Sequence, residues 1–182
     1  MNSQCILIHY HEIGLKGDNR SWFENIFIKN IKKQLSDLPY KKIQIIAARV
    51  LITGIDASIS KLYCNHLKRV MGLKHALIMS MVELNEKAIN LEVQNQIKKI
   101  DFDTFRISTK RQDKNFPLTS QEVNQIIGQK VVDSSSKKVD LKNPKLNIII
   151  ELVNGKAYIG HQKIEGYGGL PVGSGEKALS LI

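Results

Sequence analysis

The side chains best suited to chemistry lie together in one polar stretch, residues 105–123. The pattern places Lys110 and Arg111 at the exposed end of a predicted strand and Lys114 in the turn that follows. Cations in such a position can neutralise phosphates. Phe116, in the same turn, offers an aromatic ring that can stack on an unpaired base. These residue types at this spacing indicate a site for RNA.

A helix is predicted to begin directly after this turn. Thr119 or Ser120 can cap it, Glu122 follows at capping-box spacing, and the helix should run to about Val132. The amides of such a helix start can bind a phosphate. A structural alternative stays open at this point: Phe116 would be a core side chain, and the charges a solvated rim.

The glycine-rich segment from Gly166 onward is the second candidate site. A Walker phosphate loop needs Gly-x-x-x-x-Gly-Lys-Ser/Thr, because backbone amides wrap the phosphates and the lysine follows the last glycine. Gly168 and Gly173 have the glycine spacing, but Ser174 stands at the lysine position and Lys177 comes three residues late. The segment therefore predicts a hinge or linker instead of a nucleotide site.

Metal and nucleophile chemistry find little support. His9, His11 and Glu12 could begin a metal site, but the sequence supplies no third ligand at a sensible spacing, so we expect no metal. Cys5 and Cys64 form no Cys-x-x-Cys pair and lie among apolar residues, which indicates buried structural thiols. Serine-hydrolase, zinc-protease and calcium-loop motifs are absent from the 182 residues, and we expect no catalytic residue in them.

The composition is that of a globular protein with a basic surface. Lys plus Arg number 27 against 17 Asp plus Glu, a formal charge of +10 with a pI near 9.6. This excess favours polyanionic partners, nucleic acid above all. The sequence has no apolar run of membrane-spanning length and no signal-peptide pattern at its start, so a cytoplasmic location is expected.

The hydrophobic pattern predicts two small α+β units that divide near residue 76. Strand, helix, two strands, helix and strand follow one another up to about Leu84, which is the order of a ferredoxin-like unit. The two strands are predicted in the β-branched run Ile43–Gly54, and the second helix over Asp56–Met71. Trp22 is predicted on the buried side of the first helix. In the second unit, Leu91 is a predicted core residue, and the Asn154-Gly155 pair between two strand-like runs predicts a hairpin.

Three separated segments, which follow one another along the chain in the family's order, resemble those of THUMP-containing tRNA sulfurtransferases of the ThiI type, the 4-thiouridine synthetases. One is Lys110-Arg-x-Asp-Lys-x-Phe-Pro-x-Thr-Ser-x-Glu-Val. Another, Glu12-Ile-Gly-Leu-Lys-Gly-Asp-Asn-Arg20, resembles that family's opening motif, although His11 replaces its usual glycine. The third is Gly166-Tyr-Gly-Gly-Leu-Pro-Val-Gly173 followed by Lys177-Ala-Leu-Ser-Leu.

The resemblance implies an α+β fold with a ferredoxin-like domain over residues 1–76 and a THUMP α/β domain over 77–165, whose sequence profile could start near residue 60. Residues 166–182 would be a linker and the start of a PP-loop domain. The family's PP-loop signature, Ser-Gly-Gly-x-Asp-Ser, does not occur in the 182 residues. We therefore expect ATP to be a cofactor of that further domain only, and no cofactor for this chain.

The resemblance also implies the partner and the residues that contact it. The partner would be tRNA, held by its acceptor stem and 3′ end. Cysteine desulfurase would be a partner of the full-length enzyme, which would form a homodimer. A role in thiamine thiazole synthesis stays open. The RNA-binding residues expected are Lys110, Arg111, Lys114 and Phe116 (stacking or supporting the loop), with Lys16 and Arg20 in the first unit.

Two alternatives remain at this point. The chain could be a stand-alone, non-catalytic THUMP adaptor, or the THUMP part of another tRNA-modifying enzyme such as a methyltransferase. The Glu-Ile-Gly-Leu-Lys-Gly opening argues against the methyltransferase.

Overall fold

A computed structural model describes residues 3–175 of the chain. Its strands and helices divide between two compact units. The first unit comprises Ile6–Leu77 with the described residues from Lys163 onward, and the second comprises Ile78–Gln162 with the described residues up to Cys5. β4 runs through the boundary between residues 77 and 78.

The first unit has the predicted order of elements, which are β1 (Ser3–Tyr10), α1 (Arg20–Gln34), β2 (Lys42–Ile46), β3 (Arg49–Thr53), α2 (Ser60–Leu67) and β4 (Leu73–Glu83). The strands lie side by side as β2-β3-β1-β4. β2 and β3 form an antiparallel hairpin, as the β-branched run over 43–54 predicts. Phe27 and Ile31 from α1, and Tyr63 and Leu67 from α2, are fully buried in its core.

The second unit adds α3 (Glu86–Ile97), β5 (Thr104–Arg111), α4 (Ser120–Ser135), β6 (Lys138–Val139), β7 (Leu146–Val153) and β8 (Lys156–Glu165). Its strand order is β4-β8-β7-β5-β6. β5 is parallel to both β7 and β6, whereas β7 and β8 are an antiparallel hairpin around Asn154-Gly155. Both turn residues have positive φ, 48° and 70°, the conformation that an Asn-Gly hairpin turn requires. The fold is α+β, as expected.

Three predictions about the elements are wrong. Trp22 is 51% exposed and Leu91 59% exposed, because at 3.6 residues per turn each lies on the side of its helix opposite the residues that are buried. The helix predicted over Asp56–Met71 is confined to Ser60–Leu67 and preceded by a 3-10 turn. β6 had no predicted counterpart, because two residues are too few to show a period.

Candidate nucleic-acid interface

The parallel pairing of β5 with β7 determines where the predicted site residues lie. Lys110 is in register with Glu151, and Arg111 with Leu152, so both strands end at the same edge of the sheet. The backbone amides of Gln112 and Asp113 both donate to the Leu152 carbonyl, at 2.9 and 3.0 Å. The β5–α4 loop (residues 112–119) therefore starts beside the β7–β8 turn, 42 residues further along the chain.

Asp113 connects this loop to that turn. One carboxylate oxygen accepts a hydrogen bond from the Asn115 amide at 3.1 Å, and the other accepts one from the Gly155 amide at 2.8 Å. Hydrogen bonds to an ionised carboxylate are stronger than those between neutral groups. Asp113 thus holds two segments that are distant in sequence at a fixed separation.

Arg111 holds the other end of the loop. Its Nη1 donates to the carbonyls of Phe116 and Leu118, at 2.9 and 3.2 Å, and its backbone amide donates to the Ser120 hydroxyl. A guanidinium carries five N–H donors, and these side-chain bonds use one of its terminal nitrogens. Arg111 is half-buried and has a structural role in the loop in addition to its predicted role toward RNA.

Phe116 lies inside the protein. Its ring is 6% exposed and belongs to the core cluster that includes Phe105, Val123 and Ile127. Of the two roles predicted for this residue, the structure therefore gives it support of the loop, because a buried ring offers no face to a base. The exposed polar residues of the loop are fixed above this apolar anchor.

Lys110 and Lys114 are the exposed cations of the site. The Lys110 side chain is 53% exposed, and its ammonium lies 3.8 Å from the carboxylate of Glu151, which is fully buried. Lys114 is exposed at the rim of an open groove between the loop and the β7–β8 turn. Both ammonium groups are at the edge of the sheet where β5 ends, which is the position predicted for phosphate contacts.

The start of α4 carries a complete capping box. The Thr119 hydroxyl accepts from the Glu122 amide at 3.2 Å, and the Glu122 carboxylate accepts from the Thr119 amide at 2.7 Å. These hydrogen bonds, with a smaller contribution from the Arg111 charge, hold the pKa of Glu122 below its usual value. This helix start therefore presents a carboxylate and has two amides engaged, which makes it a weaker anion site than the sequence predicts.

Lys16 and Arg20 belong to the first unit. The Lys16 ammonium lies 5.1 Å from the centre of the Phe23 ring, a cation–π contact. Arg20 is paired with Glu24 at 2.8 Å and donates to the Tyr10 hydroxyl. Burial and, next, the Glu24 hydrogen bond raise the pKa of Tyr10 to about 12. The Arg20 guanidinium thus stabilises the first unit through its contacts with Glu24 and Tyr10.

The described part of the glycine-rich segment is attached to the first unit. The Gly166 and Gly168 amides donate to the carbonyls of Lys74 and Leu73, and the Gly72 amide donates to the Gly168 carbonyl at 2.7 Å. Gly168 is buried, so residues 166–168 continue the pairing with β4 instead of forming a free tether. The strand predicted over Lys177–Ile182 lies outside the described residues.

The remaining candidates make no further site. Among residues 3–175 no group of three or more His, Cys, Asp or Glu side chains is placed to hold a metal. The His9 and His75 rings stack on each other at 4.4 Å between centroids. Burial raises the pKa of the Cys5 thiol to about 12, and Cys64 is half-buried.

Three residues beside the predicted cations were not recognised from the sequence as part of this site: Asp113, Asn154 and Glu151. Asp113 acts on a residue 42 positions away, which no local pattern shows. The Asn154-Gly155 turn was recognisable only as a hairpin signal. One signal in the sequence did indicate a polar contact at β7. Glu151 is the isolated charge in the apolar run 146–153, and a lone carboxylate in a buried strand needs a partner.

Comparison with family models gives matches over both units. The model of the ThiI ferredoxin-like domain matches residues 5–76, and that of the THUMP domain matches residues 80–162. Among the helices that the structure describes, none is both long and apolar enough to span a bilayer.

Curated relatives cover nearly the whole chain. A probable tRNA sulfurtransferase from a Thermoanaerobacter species is 36% identical over 178 residues, which are 97% of this chain and 46% of that protein. One from Methanocaldococcus jannaschii is 37% identical over 186 residues, 97% of this chain and 49% of that protein. The chain spans about half the length of these curated relatives.

Solved structures with the same fold agree. PH1313 from Pyrococcus horikoshii is 35% identical with a TM-score of 0.83, over 93% of this chain and 57% of that one. A 4-thiouridine synthetase in complex with RNA and bound ATP is 27% identical with a TM-score of 0.74, over 94% of this chain and 44% of that one. TrmN from Thermus thermophilus, at 15% identity and a TM-score of 0.61, shares the fold.

Proposed function

The chain belongs to the ThiI-type tRNA sulfurtransferases, as their ferredoxin-like and THUMP domain portion, and on that premise we propose that it is the part of such an enzyme that binds tRNA. The tRNA would be held by its acceptor stem and 3′ end. One observation carries the proposal: exposed Lys110, near the end of β5, and exposed Lys114, on a loop that is fixed at both ends, lie at the edge of the sheet where β5 and β7 end.

The physical basis is the neutralisation of phosphates by a pre-ordered set of cations. A loop that is already ordered loses little conformational entropy on binding, so the attraction of its cations for phosphate is retained in the affinity. Arg111 and Asp113 provide that order, and the buried Phe116 ring anchors it. The formal charge of +10 adds long-range attraction for a polyanion.

The first unit would add contacts of its own. Lys16 is the expected phosphate contact, and Arg20 would act mainly by holding α1 to β1 through Glu24 and Tyr10. The exposed Trp22 side chain lies on the same helix as Phe23, the ring that Lys16 covers. The surface formed by Lys16, Trp22 and Phe23 would be the second RNA contact.

The chemistry of sulfur transfer is proposed to reside outside these residues. ATP would bind to a PP-loop domain, whose signature the 182 residues lack, and cysteine desulfurase would be a partner of the full-length enzyme. A homodimer would let one tRNA contact two subunits. As a tRNA-binding module the chain would work in the cytoplasm.

The test is tRNA binding by the purified chain, followed by fluorescence anisotropy across a range of salt concentrations. The double variant Lys110→Ala, Lys114→Ala should make the slope of log K against log salt shallower by about 1.4–1.8, because each lost phosphate contact removes about 0.7–0.9. The matched control is Lys98→Ala, Lys99→Ala, which removes the same charge from exposed positions after α3. Equal slopes for the two double variants would contradict the assignment.

A further inference from the structure

A buried carboxylate, that of Glu151, lies beside one of the two exposed cations of the site. Glu151 belongs to the apolar strand β7 and is fully buried, and its Oε1 lies 3.8 Å from the ammonium of the half-exposed Lys110. We propose that Glu151 is a positioning residue, which holds the Lys110 ammonium at the edge of the sheet, ready to contact a phosphate. This inference rests on the proposed function and adds to it the residue that orders one of its cations.

The register of the strands places the two charges on the same face of the sheet. Lys110 of β5 is in register with Glu151 of β7, and Tyr158 of β8 is opposite Glu151 on its other side. Because successive residues of a strand point to opposite faces, this face is the one turned away from Ile150 and Leu152, which belong to the core cluster under α3 and α4. The carboxylate therefore lies between a buried tyrosine and an exposed lysine.

The stability of the fold does not call for a carboxylate at this position. Taking a carboxylate out of water is strongly unfavourable, and a buried partner offsets that cost only where the geometry is good. Replacing a buried ion pair by apolar side chains of similar volume is often neutral or stabilising. Ile150 and Leu152 show that β7 otherwise carries such side chains. The charge of Glu151 therefore indicates a role in the site, and the cation beside it is one of the expected phosphate contacts.

A lysine side chain gains from such a restraint because it is long and flexible. An exposed lysine that binds a phosphate gives up rotamer freedom, which weakens the binding. The attraction of Glu151 restricts the ammonium before RNA arrives, so less freedom is lost on binding. The contact is also loose, at 3.8 Å with half of the Lys110 side chain in solvent. An ammonium has three donors, so a phosphate can bind to Lys110 without displacing the carboxylate.

The experiment measures tRNA binding by Glu151→Gln, which keeps the size of the side chain and removes its charge. A role of Glu151 in merely neutralising Lys110 would make this variant bind more tightly, because its net charge rises by one. Loss of the restraint should instead weaken binding about 2- to 10-fold, the range expected for ordering one long side chain. The matched control is Glu165→Gln, which makes the same charge change in an exposed pair with Lys163 of the first unit.

A double-mutant cycle with Lys110→Met shows whether the effect passes through the lysine. Methionine keeps a long side chain without an ammonium, so adding Glu151→Gln to Lys110→Met should cause no further loss of affinity. Binding by Glu151→Gln that equals or exceeds that of the unmodified chain would overturn the inference. Weakening by the same factor with and without Lys110 would indicate a folding defect and would also overturn it. Failure of the unmodified chain to bind tRNA would instead overturn the proposed function.

Nuclear magnetic resonance of the lysine side chains tests the restraint in the unmodified chain, without RNA and without any variant. The order parameter at the end of the side chain should be higher for Lys110 than for Lys114, which lies on the rim of the β5–α4 loop. Lys110 should become as mobile as Lys114 in a folded Glu151→Gln variant. Equal mobility of the two lysines in the unmodified chain would overturn the positioning role and leave RNA binding by the site intact.

Discussion

Arg111 connects the stability of the loop to the binding of RNA, and the substitution Arg111→Lys separates the two. Lysine keeps the positive charge, but its compact ammonium does not reproduce the planar fork that reaches the carbonyls of Phe116 and Leu118. The variant should therefore lose loop order without losing formal charge.

The size of the effect follows from the two hydrogen bonds. A hydrogen bond from a charged donor contributes about 1.5–3 kcal/mol when it is well shielded from water. Arg111 is half-buried, and both bonds come from one nitrogen, so solvent screening and non-additivity reduce the sum to about 1–3 kcal/mol of unfolding free energy.

The assay is urea unfolding followed by far-ultraviolet circular dichroism, because the single tryptophan, Trp22, lies in the first unit and would report on that unit. Arg69→Lys, at an exposed position, is the control. In parallel, Arg111→Lys should bind tRNA more weakly than the control with a nearly unchanged salt slope. If its unfolding free energy stays within about 0.5 kcal/mol of the control, the loop-holding role of Arg111 is refuted.

Three further predictions concern stability. Phe116→Ala should lower the unfolding free energy by about 3–5 kcal/mol, as loss of a core phenylalanine does, whereas a ring that only stacked on RNA would leave urea unfolding unchanged. Thr119→Ala should cost about 0.5–2 kcal/mol by removing the cap. Because the pKa of Glu122 is lowered in the folded state, its stabilisation is present above the unfolded pKa and is lost as the pH falls through the folded value. Glu122→Gln, which removes the titrating carboxylate, should therefore show a shallower acid dependence of its melting temperature than the unmodified chain, and an unaltered dependence would exclude this linkage. Ala47 and Ala48 form the β2–β3 turn at φ 43° and 63°, so the pair Ala47→Asn, Ala48→Gly should raise the unfolding free energy by about 1 kcal/mol, and a decrease would contradict the turn geometry.

Local signals in the sequence predicted local structure well. The Asn154-Gly155 pair predicted its hairpin because few other residues tolerate positive φ at both positions. Thr119 with Glu122 three residues later predicted the capping box, because that interaction needs only those two side chains. The exposed cations Lys110 and Lys114 are at the strand end and in the turn, where the pattern placed them.

Features that depend on tertiary contacts were not predictable in this way. The pairing of β5 with β7 brings Asp113 to Gly155, and nothing near either residue indicates the other. The buried state of Phe116 depends on how α4 packs over β5, so the sequence left both stacking on RNA and support of the loop open. Trp22 was assigned to the apolar side of the first helix but is exposed, because at 3.6 residues per turn it lies on the side of α1 opposite the buried Phe27 and Ile31.

Binding of RNA at the edge of the sheet where β5 and β7 end can be tested by hydrogen–deuterium exchange of the chain with and without tRNA. When tRNA is bound, exchange should be slower in residues 110–116 and in the turn at 154–155, with little change in the exposed residues of α3. Binding of tRNA with unchanged exchange in both of these segments would contradict it.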